Sequence, residues 1–237
     1  MNISIVGTGR AGSSFAVALR RVGHDVDVRH HDEVASLKDP DLIILCVPDD
    51  AIASVAASIP PRDDRVVAHV AGSRNLDVLA PHRRVGSLHP LMALPTGSEA
   101  QRLIGATYCV AGDDLVREVA LSFAGRVITL GDEQRTIYHA AAVVASNHLV
   151  ALMGQVRTLA ESIGLTLEDF LPLAEQSLVD VARFGPDDAL TGPASRGDMA
   201  TIDAHLAAIP ESERSTYVAL ANAAFELAEL RRSQTPA

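Results

Sequence analysis

Residues 7–12 read GTGRAG, which sets Gly7, Gly9 and Gly12 at the three positions of a G-x-G-x-x-G fingerprint. Each glycine has its own use there: a tight turn, close approach of backbone to a pyrophosphate, and close packing of helix on strand. Thr8, Arg10 and Ala11 complete the loop, and the helix that follows offers N–H groups and a positive dipole end to phosphates. The form of the dinucleotide should be decided at the end of the second strand, about 20 residues on. There the chain reads Arg29-His30-His31-Asp32. An Asp at the ribose 2′-OH would select NAD. Arg29 and His31, with Arg10 in the loop, suit a 2′-phosphate better, so the expected cofactor is NADP.

Other polar residues lie where a sheet should end. In LCVPDDAI (45–52) a buried strand runs into Val47-Pro48, which would face the ligand crevice, and Asp49 or Asp50 is expected to cap the next helix. His89, in SLHPLMALP, would leave the same sheet edge, whereas His69, inside VVAHVAG, reads mainly as a core residue. In YHAAAVVASNHLVAL, His139, Val143 and Asn147 are four apart and share one helix face. Residues 190–198, LTGPASRGD, break a helical region: Gly192-Pro193 builds a turn, Asp198 reads as a helix cap, and Ser195 and Arg196 remain to meet a ligand. Cys46 and Cys109 sit in apolar runs without metal-ligand spacing, as buried thiols do.

The elements that must position these residues fall into two kinds. Up to about residue 131, β-type runs (NISIVG, DVDVRH, DLIILCVPD, RVVAHVAG, RRVGSLHP, ATYCVAG, RVITLG) alternate with helical stretches such as 11–23, AIASVAASI and LVREVALSFAG. Such alternation, with nearly continuous apolar strands, predicts an α/β, mostly parallel doubly wound sheet covered on both faces. Beyond it the pattern is helical: Glu133 to Ile163, Thr166 to about Arg183, then about 198–208 and 212–232, with SQTPA as a disordered tail. A Rossmann-type domain over 1–131 and an all-α domain over 132–237 are expected. The net charge of −10 gives no support to a nucleic-acid or anionic-membrane partner. No uninterrupted apolar run reaches the ~18 residues of a membrane helix, and the chain opens on a strand, so a cytoplasmic location is expected.

Taken in this order, the glycine loop, CVPDDAI, SLHPLMALP, YHAAAVVASNHLVAL and LTGPASRGD resemble the Rossmann-like reductases related to ketopantoate reductase, pyrroline-5-carboxylate reductase and 6-phosphogluconate dehydrogenase. The likeness is greatest to a subgroup whose C-terminal helical domain was long of unknown function, and some of whose members act as alternative ketopantoate reductases. The resemblance implies hydride transfer from NADPH to a small 2-oxo carboxylic acid, with reduction of a cyclic imine as one alternative and a non-catalytic NADP-binding regulator as another. It also implies a homodimer built through the Ala-rich helical half, and it matches Asn147 to the Asn of the long helix. The Lys of that helix is missing, and Arg135 stands three before Tyr138, where many relatives carry it. Arg is a poor proton donor. His139 therefore becomes the acid candidate, with His89, Ser195 and Arg196 as further site residues, Arg196 toward the substrate's carboxylate.

Overall fold

The computed structural model describes residues 1–34, 37, 39–94 and 97–234. Pro95, at the end of SLHPLMALP, and Thr235 to Ala237 of the tail lie outside the described residues, whereas Ser233 and Gln234 are helical. Two compact units divide the chain, Met1–Asn147 and His148–Ala237.

In the first unit seven strands form one sheet: β1 (Asn2–Val6), β2 (Asp25–Arg29), β3 (Leu42–Leu45), β4 (Val66–His69), β5 (Val85–Pro90), β6 (Thr107–Gly112) and β7 (Arg126–Thr129). Their order is β2-β1-β3-β4-β5-β6-β7. Strands β1 to β5 pair in parallel; β6 joins β5 antiparallel, and β7 runs parallel to β6. The sheet is thus mostly parallel, as predicted, with one reversal.

Alternation along the strands builds two cores. Ile3, Ile5, Ile44, Ala68, Leu88 and Tyr108 point to one face, against Phe15 and Leu19 of α1 (Arg10–Arg21). Val119 and Phe123, at α3 (Asp114–Ser122) and its C-terminus, pack there too. Val6, Ile43, Leu45 and Val67 point to the other face, against Ile52, Val55 and Ala56 of α2 (Ile52–Ser58). Near-continuous apolar strands need such cover on both sides. Neither Asp49 nor Asp50 caps α2, contrary to the sequence expectation. A backbone turn from Ala51 N–H to the Pro48 carbonyl starts the helix one step later, and Asp49 instead takes a hydrogen bond from Ser73.

After β7 the chain enters α4 (Arg135–Val143), which continues through one π turn, Val144–His148, into α5 (Leu149–Glu161). The strands end at Thr129, but α4 is tied to the sheet, and the division between the units falls inside the π turn. Among the described residues one helix, Asp132–Glu161, is long and apolar enough to cross a membrane by length and composition alone. The sequence expectation looked for an unbroken apolar run. Here Ser146, Asn147 and His148 interrupt a segment that is apolar only on average.

In the second unit α5 is followed by α6 (Leu171–Phe184), two short helices, α7 (Pro186–Ala189) and α8 (Gly192–Arg196), then α9 (Met199–Ala208) and α10 (Glu211–Gln234). Thr166 and Asp169 form a capping box that leads into α6. Among the described residues of this unit only Gln155, Ala160, Ala194, Ile202 and Ala228 are buried, while Val150, Ile163 and Leu173 are about 70% exposed. Further large apolar side chains of its helices are exposed, Val179, Phe184, Met199 and Leu230 among them.

Candidate active site

Parallel pairing of β1 to β5 brings five strand ends to one edge, and the order places the topological switch between β1 and β3. The glycine loop occupies that point. Gly7 has φ 121°, and a Cβ on it would stand 2.2 Å from the Cys46 carbonyl oxygen at the end of β3. A Cβ on Gly12 would stand 1.8 Å from the Gly7 carbonyl oxygen. The fold itself therefore demands these two glycines. Gly9 differs: its φ is −71°, and among the described residues no atom beyond its chain neighbours lies within 4 Å of where its Cβ would be. No described residue requires a glycine there, and the space is open to a group from outside. No side chain caps α1 and its first turn carries no acid, so its N–H groups remain available to an anion. Thr8, Gly9 and Arg10 are exposed and Ala11 half-buried; Val47 is half-buried and Pro48 exposed at the neighbouring strand end. This edge fits the pyrophosphate of a dinucleotide.

At the end of β2 the basic residues are partly engaged. Arg29 Nε donates to Asp27 at 2.7 Å, and His30 Nδ1 lies 2.7 Å from Asp32. The bond to His30 holds the Asp32 carboxyl below its ordinary range. His31 is exposed, its ring 4.2 Å from that of His30.

Farther along the edge lies a cleft of about 590 Å³, lined by His89, Tyr138, His139, Val143, Ser146 and Asn147 among others. Period two explains how His89 reaches it: Ser87 and His89 are the polar residues of an apolar strand and point to one face of β5. Their neighbours across the sheet are His69, paired with Ser87, and Cys109, paired with His89. On that face sits α4. Arg135, only 1% exposed, donates from Nη2 to Ser87 Oγ at 2.7 Å and from Nε to Asp132 at 3.1 Å. It is an anchor between helix and sheet, and it does not line the cleft.

One turn on, the Tyr138 hydroxyl lies 2.7 Å from His89 Nδ1. His139 follows, its ring 6.4 Å from that of His89. Gly72 lets both imidazoles approach the backbone after β4: a Cβ there would stand 2.8 Å from His89 Nε2 and 2.9 Å from His139 Cδ2. Burial, with His139 nearby, pushes His89 down to about 4, so it is neutral at physiological pH. Burial likewise takes His69 to about 4. His69 is fully buried and its Nδ1 accepts from the Ala71 N–H; it is a residue of the interior, not of the cleft. The π turn carries Ser146 and Asn147 to the cleft, and insertions of this kind recur at functional sites.

Of the residues singled out from sequence, His89, His139 and Asn147 thus share one cleft. Ser195 and Arg196 belong to the second unit. Gly192-Pro193 opens a turn of helix there, α8, where the sequence suggested only a loop. Ser195 Oγ donates to the Gly192 carbonyl at 2.8 Å, Arg196 is exposed, and Asp198 caps α9 through the Thr201 N–H at 3.1 Å. Sequence reasoning assigned no role to Tyr138, Gly72 or Ser87, and treated Cys109 as a buried thiol alone. The signal for Ser87 was its position two before His89 in an apolar strand.

Residues 106–224, half of the chain, match the family model described as "Domain of unknown function (DUF2520)". The chain belongs to this family. No curated protein matches the sequence. Several solved structures share the fold of this DUF2520 protein over nearly its whole length. BF3122 of Bacteroides fragilis, assigned to the NADP oxidoreductases, is 20% identical with a TM-score of 0.79, covering 95% of this chain and 98% of its own. TM1727 of Thermotoga maritima is 22% identical, TM-score 0.76, over 97% and 99%. A reductive aminase of Aspergillus terreus, in complex with NADPH and ethyl levulinate, is 16% identical, TM-score 0.71, over 99% of each chain. At these identities the likeness is one of fold.

Proposed function

We propose that this DUF2520 protein is an NADPH-dependent reductase of a small 2-oxo carboxylic acid, ketopantoate being one such acid. The observation that carries the reading is His89, half-buried in the cleft at the sheet edge that also holds the glycine loop. Gly7, Thr8, Gly9, Arg10, Ala11 and Gly12 would hold the pyrophosphate, Val47 and Pro48 would border it, and Arg29 and His31 would meet the 2′-phosphate. When bound, a reduced nicotinamide supplies the hydride.

Reduction of a carbonyl gathers negative charge on oxygen, and a fixed N–H in a partly desolvated cleft stabilises that charge. His89 provides the donor, His139 the proton that converts the oxyanion to a hydroxyl, and Asn147 a further polar contact on the same cleft. Arg196 and Ser195 are assigned to the substrate's carboxylate on the motif resemblance. The uncovered apolar helices of the second unit support a homodimer, which light scattering would detect as twice the chain mass. A second reading, reduction of a C=N bond, draws support from the reductive aminase of similar fold. An iminium loses positive charge on reduction and has no need of a neutral donor, so His89 favours the carbonyl.

The test is NADPH oxidation against a panel of 2-oxo acids and cyclic imines. Turnover of one or more oxo acids is expected. Turnover confined to imines would replace the first reading by the second, and saturable NADPH binding without turnover on any compound would favour a regulatory role.

A further inference from the structure

His89 and Cys109 are direct partners across the antiparallel β5–β6 pair, so their side chains emerge side by side on one face. Tyr138 comes down on that face from α4. Its hydroxyl lies 2.7 Å from His89 Nδ1, the two rings meeting edge-on at 5.6 Å, and the Cys109 thiol is its other polar neighbour. The phenol has one hydrogen and two neighbours, each able to give or to accept.

Two arrangements satisfy the chain. In the first, Cys109 S–H donates to the phenol oxygen, Tyr138 O–H donates to Nδ1, and the imidazole hydrogen sits on Nε2. In the second, Nδ1–H donates to the phenol oxygen, the phenol hydrogen goes to sulfur, and Nε2 carries a lone pair. The first sets the more acidic donor, a phenol, on the more basic acceptor, an unprotonated imidazole nitrogen. The second sends the phenol hydrogen to sulfur, a weak acceptor. The first arrangement is the more stable.

We infer that Cys109 and Tyr138 are positioning residues that hold His89 as its Nε2–H tautomer, so that its second nitrogen is a hydrogen-bond donor and not a lone pair. This rests on the reductase reading, in which the donor faces a developing oxyanion; a lone pair there would repel it. The imidazole of a serine hydrolase is likewise held in its working tautomer by a third group. Among the described residues Nε2 of His89 has no protein hydrogen-bond partner, and it lies beside Gly72, where no side chain competes for it. Besides Tyr138 and Cys109, the titratable and charged groups facing His89 are His139, Asp49, Arg135 and His69. Asp49 favours a charge on the ring; the other three, with burial, oppose it and keep the ring neutral, as a defined tautomer requires.

Long-range proton–nitrogen NMR of the nitrogen-15-labelled full chain near neutral pH reports which nitrogen of each imidazole carries the hydrogen, with His89→Gln assigning the signal. The expected result is a protonated Nε2 and an accepting Nδ1. Tyr138→Phe should give a mixture of tautomers, raise the His89 titration midpoint by about one unit, and lower kcat about 10²-fold with little change in KM for NADPH. Cys109→Ser should keep the native tautomer and Cys109→Ala should loosen it. An Nδ1–H signal in the parent protein overturns the inference, as does a Tyr138→Phe protein with unchanged tautomer and titration. If Tyr138→Phe does not fold, the parent and the two Cys109 variants decide. Oxo-acid turnover by a protein with the Nδ1–H tautomer would sink this inference and leave the reductase standing. The expected tautomer without turnover on any compound would do the reverse.

Discussion

The Cβ that Gly12 lacks would stand 1.8 Å from the carbonyl oxygen of Gly7, so the first turn of α1 rests directly on the loop before it. Gly12→Ala should therefore lower the unfolding midpoint of the ligand-free protein, overpacking costing about 1–3 kcal/mol or more of unfolding free energy. Gly9 faces open space, and Gly9→Ala should leave that midpoint nearly unchanged while weakening NADPH about ten-fold or more. Thermal melts and calorimetric titrations of the two variants check this. Undiminished NADPH affinity in Gly9→Ala would show that the open space is not the pyrophosphate site.

Arg135 is fully enclosed and gives hydrogen bonds to Ser87 and Asp132. Arg135→Met should cost about 2–4 kcal/mol in urea unfolding, because the buried Ser87 hydroxyl loses its charged partner. Arg135→Lys, which has a single nitrogen for two acceptors, should fall between. An unaffected Arg135→Met protein would remove this residue as the link between α4 and the sheet.

Acid should destabilise the protein in part through His69. Its folded value near 4 lies below the ordinary 6.5, so between those values the unfolded chain binds the extra proton. Stability from this group is then complete above about pH 6.5, declines as pH falls toward 4, and levels off below. The full loss is on the order of 3 kcal/mol. Unfolding free energies measured from pH 7 to pH 4 should fall less steeply in His69→Gln than in the parent; parallel curves would contradict the assignment.

Within LTGPASRGD the roles should separate under mutation. Asp198→Ala removes the cap of α9 and should lower the thermal midpoint, with kinetic constants little changed in the folded fraction. Arg196→Ala should leave the midpoint alone and raise KM for a carboxylate substrate while preserving NADPH affinity. Collapse of cofactor affinity in Arg196→Ala would assign the arginine elsewhere.

Much of the fold was legible in the sequence because its signals are local. Apolar strands such as LIIL, the glycine loop and the caps at Thr166 and Asp198 each depend on neighbours a few residues away. The reversal at β6 left no such trace, since ATYCVAG reads alike in either direction. His89, His139 and Asn147 could be named from motif and spacing, but Tyr138 could not. Its role depends on a strand residue 49 positions earlier and on a helix seated by a buried arginine. The expected Asp49 or Asp50 cap failed for a related reason: Ser73, from a different loop, had the stronger claim on Asp49.

The antiparallel junction of β5 and β6 also guards alignment. A slip of β6 by one residue would turn every side chain to the opposite face, carrying Cys109 away from His89. That slip would also drag Tyr108 out of the other core, where its ring stacks on Phe123 at 5.3 Å and its hydroxyl bonds to the Leu103 carbonyl. An aromatic lock on one side of the sheet thus serves as the gauge that sets atoms on the other, and a mutation at Phe123 could detune His89 without approaching it.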